Sequence, residues 1–362
     1  MIRNFFFKSR YLTFSIFILL LACEIFLRIF KAENMIIHRY PLIYTCDSMS
    51  GFKGIPNATG YFRRPSINKE IRLNNFGFYG PNFSADHPDS IFRIIIYGTS
   101  DVEGVWSDTT ASFPELLDKK LKAANVKAEI INCAVSGIWR GRQTISLIRA
   151  TAARFHANLV LLEQRIPFWS ANVCRESLDN HLVAVAGNDP QELQHAVWVA
   201  KTQIDLVKRH KLVTDMYDLF YLARYVTRRA EGPAWGSIVH CWGEYALGYP
   251  HCWQYLAVQK DSMQQSIATL NNLDRTLNAA NCKLLLFSYG DEKAENNPNE
   301  YENLQAPRIY LNVPLNKKEF HLPLDEHPNY KGKNLIAGRL FSALTRTYIP
   351  LQFAPLPNSA CR

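Results

Sequence analysis

The sequence has no run of five or six basic residues, although Lys and Arg (41) outnumber Asp and Glu (32) and give a formal net charge of +9. A scattered positive charge of this kind does not favour a nucleic-acid partner. With 17 Gly, 18 Pro and 20% charged residues, the composition also lacks the bias of collagenous, coiled-coil and disordered chains. The 362 residues are enough for one large domain or two modest ones, which excludes a disulfide-stapled miniprotein.

Long apolar stretches are scarce as well. Only Tyr11–Phe30 is long and apolar enough to cross a membrane, and this excludes a multi-span transporter. As a helix, its twenty residues would span about 30 Å, the thickness of the hydrocarbon core. Glu24 and Arg28 are its only charged residues and are four positions apart, so they share one face of the helix and can neutralise each other.

The residues around this stretch predict how it is oriented. Arg3, Lys8 and Arg10 precede it, which favours a cytoplasmic N-terminus and a body on the extracytoplasmic side. We therefore predict a signal-anchor helix over residues 1–31 of a single-pass membrane protein. The alternatives are a cleaved signal peptide, a lipoprotein signal, since Leu20–Cys23 resembles a lipobox, and a buried helix of a soluble domain.

The eight cysteines do not define the redox compartment. Cys133 and Cys282 lie in apolar, strand-like runs, where a free thiol packs as a small hydrophobe. Cys241 and Cys252 belong to a near-repeat of His-Cys-Trp, separated by a turn-rich segment. We predict that these two lie close together, with Cα atoms less than about 7 Å apart, so that a disulfide can form in an exported domain. Unpaired packing cysteines and a zinc site are the alternatives.

The rest of the chain divides into an irregular part and a regular part. Residues 32–91 have no sustained hydrophobic period, which predicts a stalk that leads into the main domain. Residues 92–350 alternate helical patterns with continuous apolar runs, which are typical of strands buried on both faces of a parallel sheet. This order predicts an α/β domain with a doubly wound sheet. A largely helical insertion is expected at about 170–258, and residues 351–362 form a tail.

The individual elements can be placed from the same patterns. The strands are expected at 93–97, 128–132, 159–163, 283–288 and 308–313. One helix is expected to begin after Ser112, its N-cap. Three further helices are expected at 142–154, 261–280 and 332–346. The aromatic residues of the insertion are interpreted as local core, with a carbohydrate-stacking platform as the alternative.

Small and polar residues follow the predicted strands, at the edge where functional groups collect in such sheets. Ser100 follows the first strand, and Asp325 and His327 precede the last helix. These three residues supply the hydroxyl, the orienting carboxylate and the base that nucleophilic catalysis needs. By residue type alone, Ser100 can equally be a turn or helix-cap serine.

Three motifs together resemble those of the SGNH/GDSL hydrolase superfamily. They are Gly98-Thr99-Ser100 after the first strand, Asn132 to Gly137 after the second, and Asp325-Glu326-His327-Pro328-Asn329 followed by Gly332 and Ala337. Arg72 to Gly80 and the anchor ending in Glu24, Leu27 and Arg28 resemble a membrane-anchored branch of that group. The resemblance covers roughly residues 70–165 and 260–350.

The resemblance implies a flavodoxin-like three-layer α/β/α sandwich that hydrolyses or transfers acyl esters through an acyl-serine. It implies Ser100 as the nucleophile, His327 as the general base and Asp325 as the carboxylate that orients it. The backbone N–H groups of Ser100 and Gly137 would be oxyanion donors. Neither a metal ion nor an organic cofactor is implied.

Two positions depart from the superfamily pattern. Thr99 stands where an Asp usually braces the turn, and Glu163-Gln164-Arg165 stands where an Asn usually completes the oxyanion hole. Loss of one oxyanion donor costs about 10² to 10³ in rate, so Gln164 or Arg165 is a candidate replacement. The sequence thus predicts a membrane-tethered serine esterase or O-acyltransferase for acylated small molecules or glycans. The alternative is a catalytically degraded binding or assembly module of the cell envelope.

Overall fold

The structure is a computed structural model that describes most of the chain. The described residues are 2–30, 43–47, 50–64, 67–86, 89–105, 111–136, 141–164, 166–170, 174–178, 181–184, 259–290, 301–315, 317–322 and 327–353, with isolated positions between 191 and 209.

The strands, in chain order, are β1 Tyr44–Asp47, β2 Gly51–Gly54, β3 Thr59–Arg64, β4 Ile67–Arg72, β5 Phe92–Tyr97, β6 Ala128–Asn132, β7 Leu159–Glu163, β8 Trp169–Ser170, β9 Cys174–Leu178, β10 His181–Ala184, β11 Gln259–Lys260, β12 Lys283–Ser288 and β13 Arg308–Tyr310. The helices are α1 Ile2–Phe30, α2 Ser100–Glu103, α3 Phe113–Ala123, α4 Gly141–Thr151, α5 Met263–Ala279 and α6 Tyr330–Ala343. The last helix continues into a π-helical turn, Leu344–Tyr348.

A parallel five-stranded sheet forms the centre of the domain, with strand order β13-β12-β7-β5-β6. The strand order reverses at β5: from there the chain adds β6 on one side, then returns to the other side for β7, β12 and β13. In sheets of this kind the crevice outside the carboxyl ends of the strands at the reversal is the ordinary place for a ligand. Residues that follow β5, β6 and β7 therefore meet at one edge.

Helices cover both faces of the sheet, as a flavodoxin-like α/β/α sandwich requires. On one face, α3 and α6 pack over the side chains of Ile94 and Ile96. On the other, α4 and α5 pack over Ile95 and Tyr97. All six residues of β5 are buried, which explains its continuous apolar run. Ser112 caps α3 as predicted, accepting a hydrogen bond from the backbone N–H of Glu115.

The segment before the sheet is more regular than the sequence predicts. Where an irregular stalk is expected, β1 pairs with β2 and β3 pairs with β4 as two antiparallel hairpins. The hairpin β1–β2 contacts β9, so the described start of the predicted insertion packs on this part of the chain. That start is made of short strands rather than helices.

The cysteines behave in three ways. Cys133 and Cys282 are buried and free, which confirms the prediction that they pack as small hydrophobes. Cys46 in β1 is disulfide-bonded, and nothing in the sequence patterns pointed to it. Cys241 and Cys252, the predicted pair, lie outside the described residues.

The N-terminal helix α1 contains one stretch that matches a membrane span in length and composition. Tyr11–Ile29 has a mean hydropathy of 2.2, and 11% of it is buried against the rest of the protein. A signal sequence meets the same description. Within this stretch Arg28 Nε donates a hydrogen bond of 2.8 Å to Glu24 Oε1, so the two charges neutralise each other as their spacing predicts.

Candidate active site

Ser100 stands at the carboxyl end of β5, at the centre of the sheet edge. The chain leaves β5 through Gly98 and Thr99 and enters the short helix α2 at Ser100. A side chain at position 98 would not fit, because a Cβ atom there would lie 2.8 Å from Oε2 of Glu163. Gly104 ends the helix with a positive φ of 81°, which glycine adopts without strain. Gly98 thus allows the sharp turn from β5 into α2 that carries Ser100, and Gly104 allows the chain to leave α2 after a single turn.

His327 approaches from the segment that precedes α6. Its carbonyl oxygen accepts a hydrogen bond of 3.0 Å from the backbone N–H of Leu322. Two residues later, Asn329 caps α6 by accepting from the backbone N–H of Gly332 at 3.1 Å, while its amide donates to the carbonyl of His321 at 2.9 Å. These bonds hold the backbone of His327 and of Asn329 and so restrict where the imidazole can lie.

The two side chains meet at hydrogen-bond distance. Nε2 of His327 lies 2.8 Å from Oγ of Ser100, across 227 positions of sequence. This is the reach that a general base needs to take a hydroxyl proton. The arrangement can convert Ser100 into a nucleophile.

Three of the other predicted site residues lie outside the described residues. They are Asp325, the expected carboxylate, Gly137, the expected oxyanion donor, and Arg165, one of the two candidate replacements for the missing Asn. Their roles remain predictions. Gln164, the other candidate, lies directly after β7, where its backbone N–H donates to the carbonyl of Phe287 on β12 at 2.8 Å.

A carboxylate from the neighbouring strand braces the turn that carries Ser100. Oε2 of Glu163, at the end of β7, accepts a hydrogen bond of 2.7 Å from the backbone N–H of Thr99. The pairing of Tyr97 with Leu162 brings the two strand ends side by side, and Glu163 is only 3% exposed. A buried backbone N–H next to the nucleophile is therefore satisfied by a charged acceptor.

Three buried polar atoms lie in a row along the same edge. They belong to Thr99 after β5, Gln164 after β7 and Ser288 at the end of β12, which are neighbouring strands. Oγ1 of Thr99, Oε1 of Gln164 and Oγ of Ser288 have no hydrogen-bond partner among the described residues. Since buried polar atoms are normally hydrogen-bonded, this edge has unused capacity for a polar molecule.

A second buried carboxylate lies just behind the nucleophile. Glu103, the last residue of α2, is 1% exposed. Its Oε1 accepts from the hydroxyl of Tyr44 in β1 at 2.8 Å. Its Oε2 accepts from the backbone N–H of Ser136 at 3.1 Å and from the hydroxyl of the same residue. Ser136 belongs to the loop after β6.

Glu103 and Glu163 are the site-region residues that sequence reasoning missed. The available signal was a charged residue at the boundary of an apolar element, at the end of β7 in one case and beside Val102 in the other. A carboxylate in such a place must find donors when it is buried. The sequence alone does not say which donors.

Cys133 lies near the site but is not a competing nucleophile. It is fully buried at the start of the loop after β6, and burial raises the pKa of its thiol well above the ordinary value. A protonated, buried thiol is inert, since the thiolate is the reactive form.

No protein-family model matches the sequence, and no curated protein matches it. The similar solved structures include TesA (11% identity, TM-score 0.37, covering 70% of this chain and 97% of TesA). A psychrotrophic esterase, EstA from Pseudoalteromonas sp., is 14% identical, with a TM-score of 0.37 and coverage of 70% and 96%. A GDSL-like lipase from Bacteroides thetaiotaomicron is 10% identical, with a TM-score of 0.32 and coverage of 72% and 91%. At these values the likeness assigns no activity, so the functional argument rests on the geometry of the chain.

Proposed function

We propose that this protein is a membrane-tethered serine ester hydrolase or O-acyltransferase of the SGNH/GDSL type. The observation that carries the proposal is the distance of 2.8 Å between Oγ of Ser100 and Nε2 of His327. The strand-to-helix turn that presents Ser100 at the sheet edge supports the same role.

In the proposed reaction, Nε2 of His327 takes the proton of the Ser100 hydroxyl while Oγ attacks the ester carbonyl. The tetrahedral intermediate collapses, the imidazolium gives its proton to the departing alcohol, and an acyl-serine remains. A second hydroxyl, from water or from an acceptor alcohol, then loses its proton to His327 and takes the acyl group. The bond between Oγ and the acyl carbon breaks, and the imidazolium returns the proton to Oγ of Ser100. Asp325 would orient the imidazole, and the backbone N–H groups of Ser100 and Gly137 would stabilise the oxyanion.

Two features support an extracytoplasmic location for the body of the protein. Tyr11–Ile29 is long and apolar enough to anchor the chain, and the basic residues before it favour a body on the extracytoplasmic side. The disulfide of Cys46 supports that side, because disulfides persist in oxidising compartments.

The substrates we propose are acyl esters of glycans or of small polar molecules. The unpartnered atoms of Thr99, Gln164 and Ser288 support a polar ligand, since the two hydroxyls can donate or accept and Oε1 of Gln164 can accept from a ligand hydroxyl. Whether water or a sugar hydroxyl takes the acyl group would be read from the products formed with and without an acceptor glycan.

The test compares three forms of the full-length protein with a small aryl acetate and a fluorophosphonate probe. Wild type should hydrolyse the ester and become labelled, and Ser100→Ala should do neither. Ser146→Ala changes a serine of α4 whose hydroxyl only contacts the carbonyl of Arg142, so it should behave as wild type. Absence of both turnover and labelling in wild type would contradict the proposal and favour a non-catalytic binding or assembly module of the cell envelope.

A further inference from the structure

Glu103 lies in α2 and connects this helix to the first hairpin and to the loop after β6. Its carboxylate accepts from Tyr44 in the first hairpin and from Ser136 in the loop after β6. Its backbone is held from the same side, because the amide of Asn132 donates to the carbonyls of Val102 and Glu103 at 3.1 and 3.2 Å. The helix that begins at the nucleophile is thus fastened to the end of β6 by main-chain and side-chain contacts.

The contact with Ser136 determines which N–H groups the loop can offer to a substrate. The N–H of Ser136 is engaged by Glu103 at 3.1 Å, so this N–H is not available to an oxyanion. Gly137 is the next residue, and its N–H is the predicted donor. Fixing Ser136 at both its N–H and its hydroxyl therefore fixes the start of the peptide that carries the predicted donor.

We propose that Glu103 is a positioning residue that sets the oxyanion loop relative to Ser100. This inference rests on the proposed function. A carboxylate suits the role because both of its oxygens accept, one from Tyr44 and one from Ser136. Since Glu103 is 1% exposed, these hydrogen bonds also offset the cost of burying its charge.

Positioning and charge can be separated with two conservative variants. In Glu103→Gln the amide oxygen can still accept from Ser136, and the amide nitrogen can donate to Tyr44, whose hydroxyl rotates to accept. Glu103→Asp keeps the charge but is one methylene too short to hold both partners. If Glu103 positions the loop, Glu103→Gln should keep kcat within a few-fold. Glu103→Asp should lose about 10-fold or more, since a displacement of about 1 Å can cost 10² in rate.

Glu103→Ala should lower kcat by about 10²-fold and change KM little, because the affected donor acts mainly on the transition state. The control is Glu129→Ala, which removes a carboxylate that pairs with buried Arg93 at 2.6 Å near the opposite end of the sheet. This control should lower the melting temperature and leave kcat of the folded protein unchanged. Melting curves of all variants show which of them are folded.

The outcomes separate the two levels of the argument. If wild type turns over the aryl acetate and Glu103→Asp keeps full kcat while Glu103→Gln loses it, the role is electrostatic and the positioning proposal is overturned. Full kcat in both Glu103→Ala and Glu103→Asp would overturn it too, with the proposed function intact. If wild type is neither labelled by the fluorophosphonate nor active, the proposed function fails and the positioning role fails with it.

Discussion

The backbone N–H of Thr99 donates a hydrogen bond of 2.7 Å to Oε2 of Glu163, and this bond joins the turn that carries Ser100 to the neighbouring strand. In the superfamily that the sequence resembles, a carboxylate on the residue before the serine usually braces this turn. Here the residue before Ser100 is a threonine, and the carboxylate comes from the end of β7. The turn is therefore braced by a residue of the neighbouring strand and not by its own side chain.

Glu163→Ala should destabilise the protein and reduce activity together. It leaves the buried N–H of Thr99 without an acceptor, which costs about 1–3 kcal/mol, and it frees the turn that carries Ser100. We expect a lower midpoint in urea unfolding. We also expect a kcat at least about 10-fold lower, because a small displacement of the Ser100 hydroxyl lowers the rate strongly. Glu163→Gln keeps an acceptor oxygen and should lose much less. Equal losses in the two variants would show that the charge, and not the acceptor, is needed.

A carboxylate returned to position 99 should compensate for one removed from position 163. Thr99→Asp in the Glu163→Ala background should recover part of the lost kcat and stability. In the wild-type background the same change would place two carboxylates side by side in a buried site and should be destabilising. A double-mutant cycle on urea midpoints measures this interaction, and simple additivity of the two changes would contradict it.

Gln164 is the candidate for the oxyanion side-chain donor that lies among the described residues. It follows β7, the strand next to β5, and its side-chain Nε2 would be the donor, since Oε1 can only accept. Gln164→Ala should lower kcat by about 10²-fold with little change in KM, as expected for a lost oxyanion donor. Arg165→Ala should lose less with a neutral ester and more with an anionic one, because it would remove a positive charge. The opposite ranking with the neutral ester would assign the role to Arg165.

The topology can be tested in sealed inside-out vesicles. With α1 as a signal anchor and the body on the extracytoplasmic side, added protease should leave residues 40–362 intact until detergent is added. Digestion of the body in sealed vesicles would contradict this orientation. A shortened N-terminus on the mature chain would instead indicate cleavage of a signal peptide.

The first hairpin should lose stability in acid. Burial acts to raise the pKa of Asp47, but hydrogen bonds from Lys53 and Ser50 outweigh it and lower the pKa to about 2. Because the folded pKa lies below the unfolded value of about 3.9, this contribution is complete above pH ~4 and is lost as the pH falls toward 2. Asp47→Asn should therefore cost at most about 1 kcal/mol at pH 7 and clearly less at pH 2, measured by urea unfolding. A constant difference between pH 7 and pH 2 would contradict the assignment.

The central strands were predictable from sequence because burial on both faces leaves a distinctive pattern. The structure places β6, β7 and β12 at the predicted boundaries, and β5 begins one residue earlier. The hairpins β1–β2 and β3–β4 were not foreseen. Their strands are four to six residues long and mix glycine and charged residues with aromatic ones, so they show no alternation long enough to identify.

Part of the candidate site could be predicted from the sequence, and part could not. The proximity of Ser100 and His327 could be predicted. The motif resemblance pairs the two residues, and functional groups in such sheets collect at the carboxyl ends of the strands. The roles of Glu103 and Glu163 depend on donors that are 33 and 64 positions away in sequence. No local pattern encodes such a partnership, so these contacts could be found only in the folded chain.

The separation of Ser100 and His327 by 227 positions has a consequence for biosynthesis. A chain made from its N-terminus produces Ser100 well before His327, which follows 227 residues later. Such long-range contacts also form late in folding, because closing large loops is slow. If the body is exported as we propose, Ser100 would have no His327 to activate it while the partly synthesised chain is still in contact with the cytoplasm. Activity would begin only once the last helix had crossed and docked, so the order of synthesis would itself confine the reaction to the far side of the membrane.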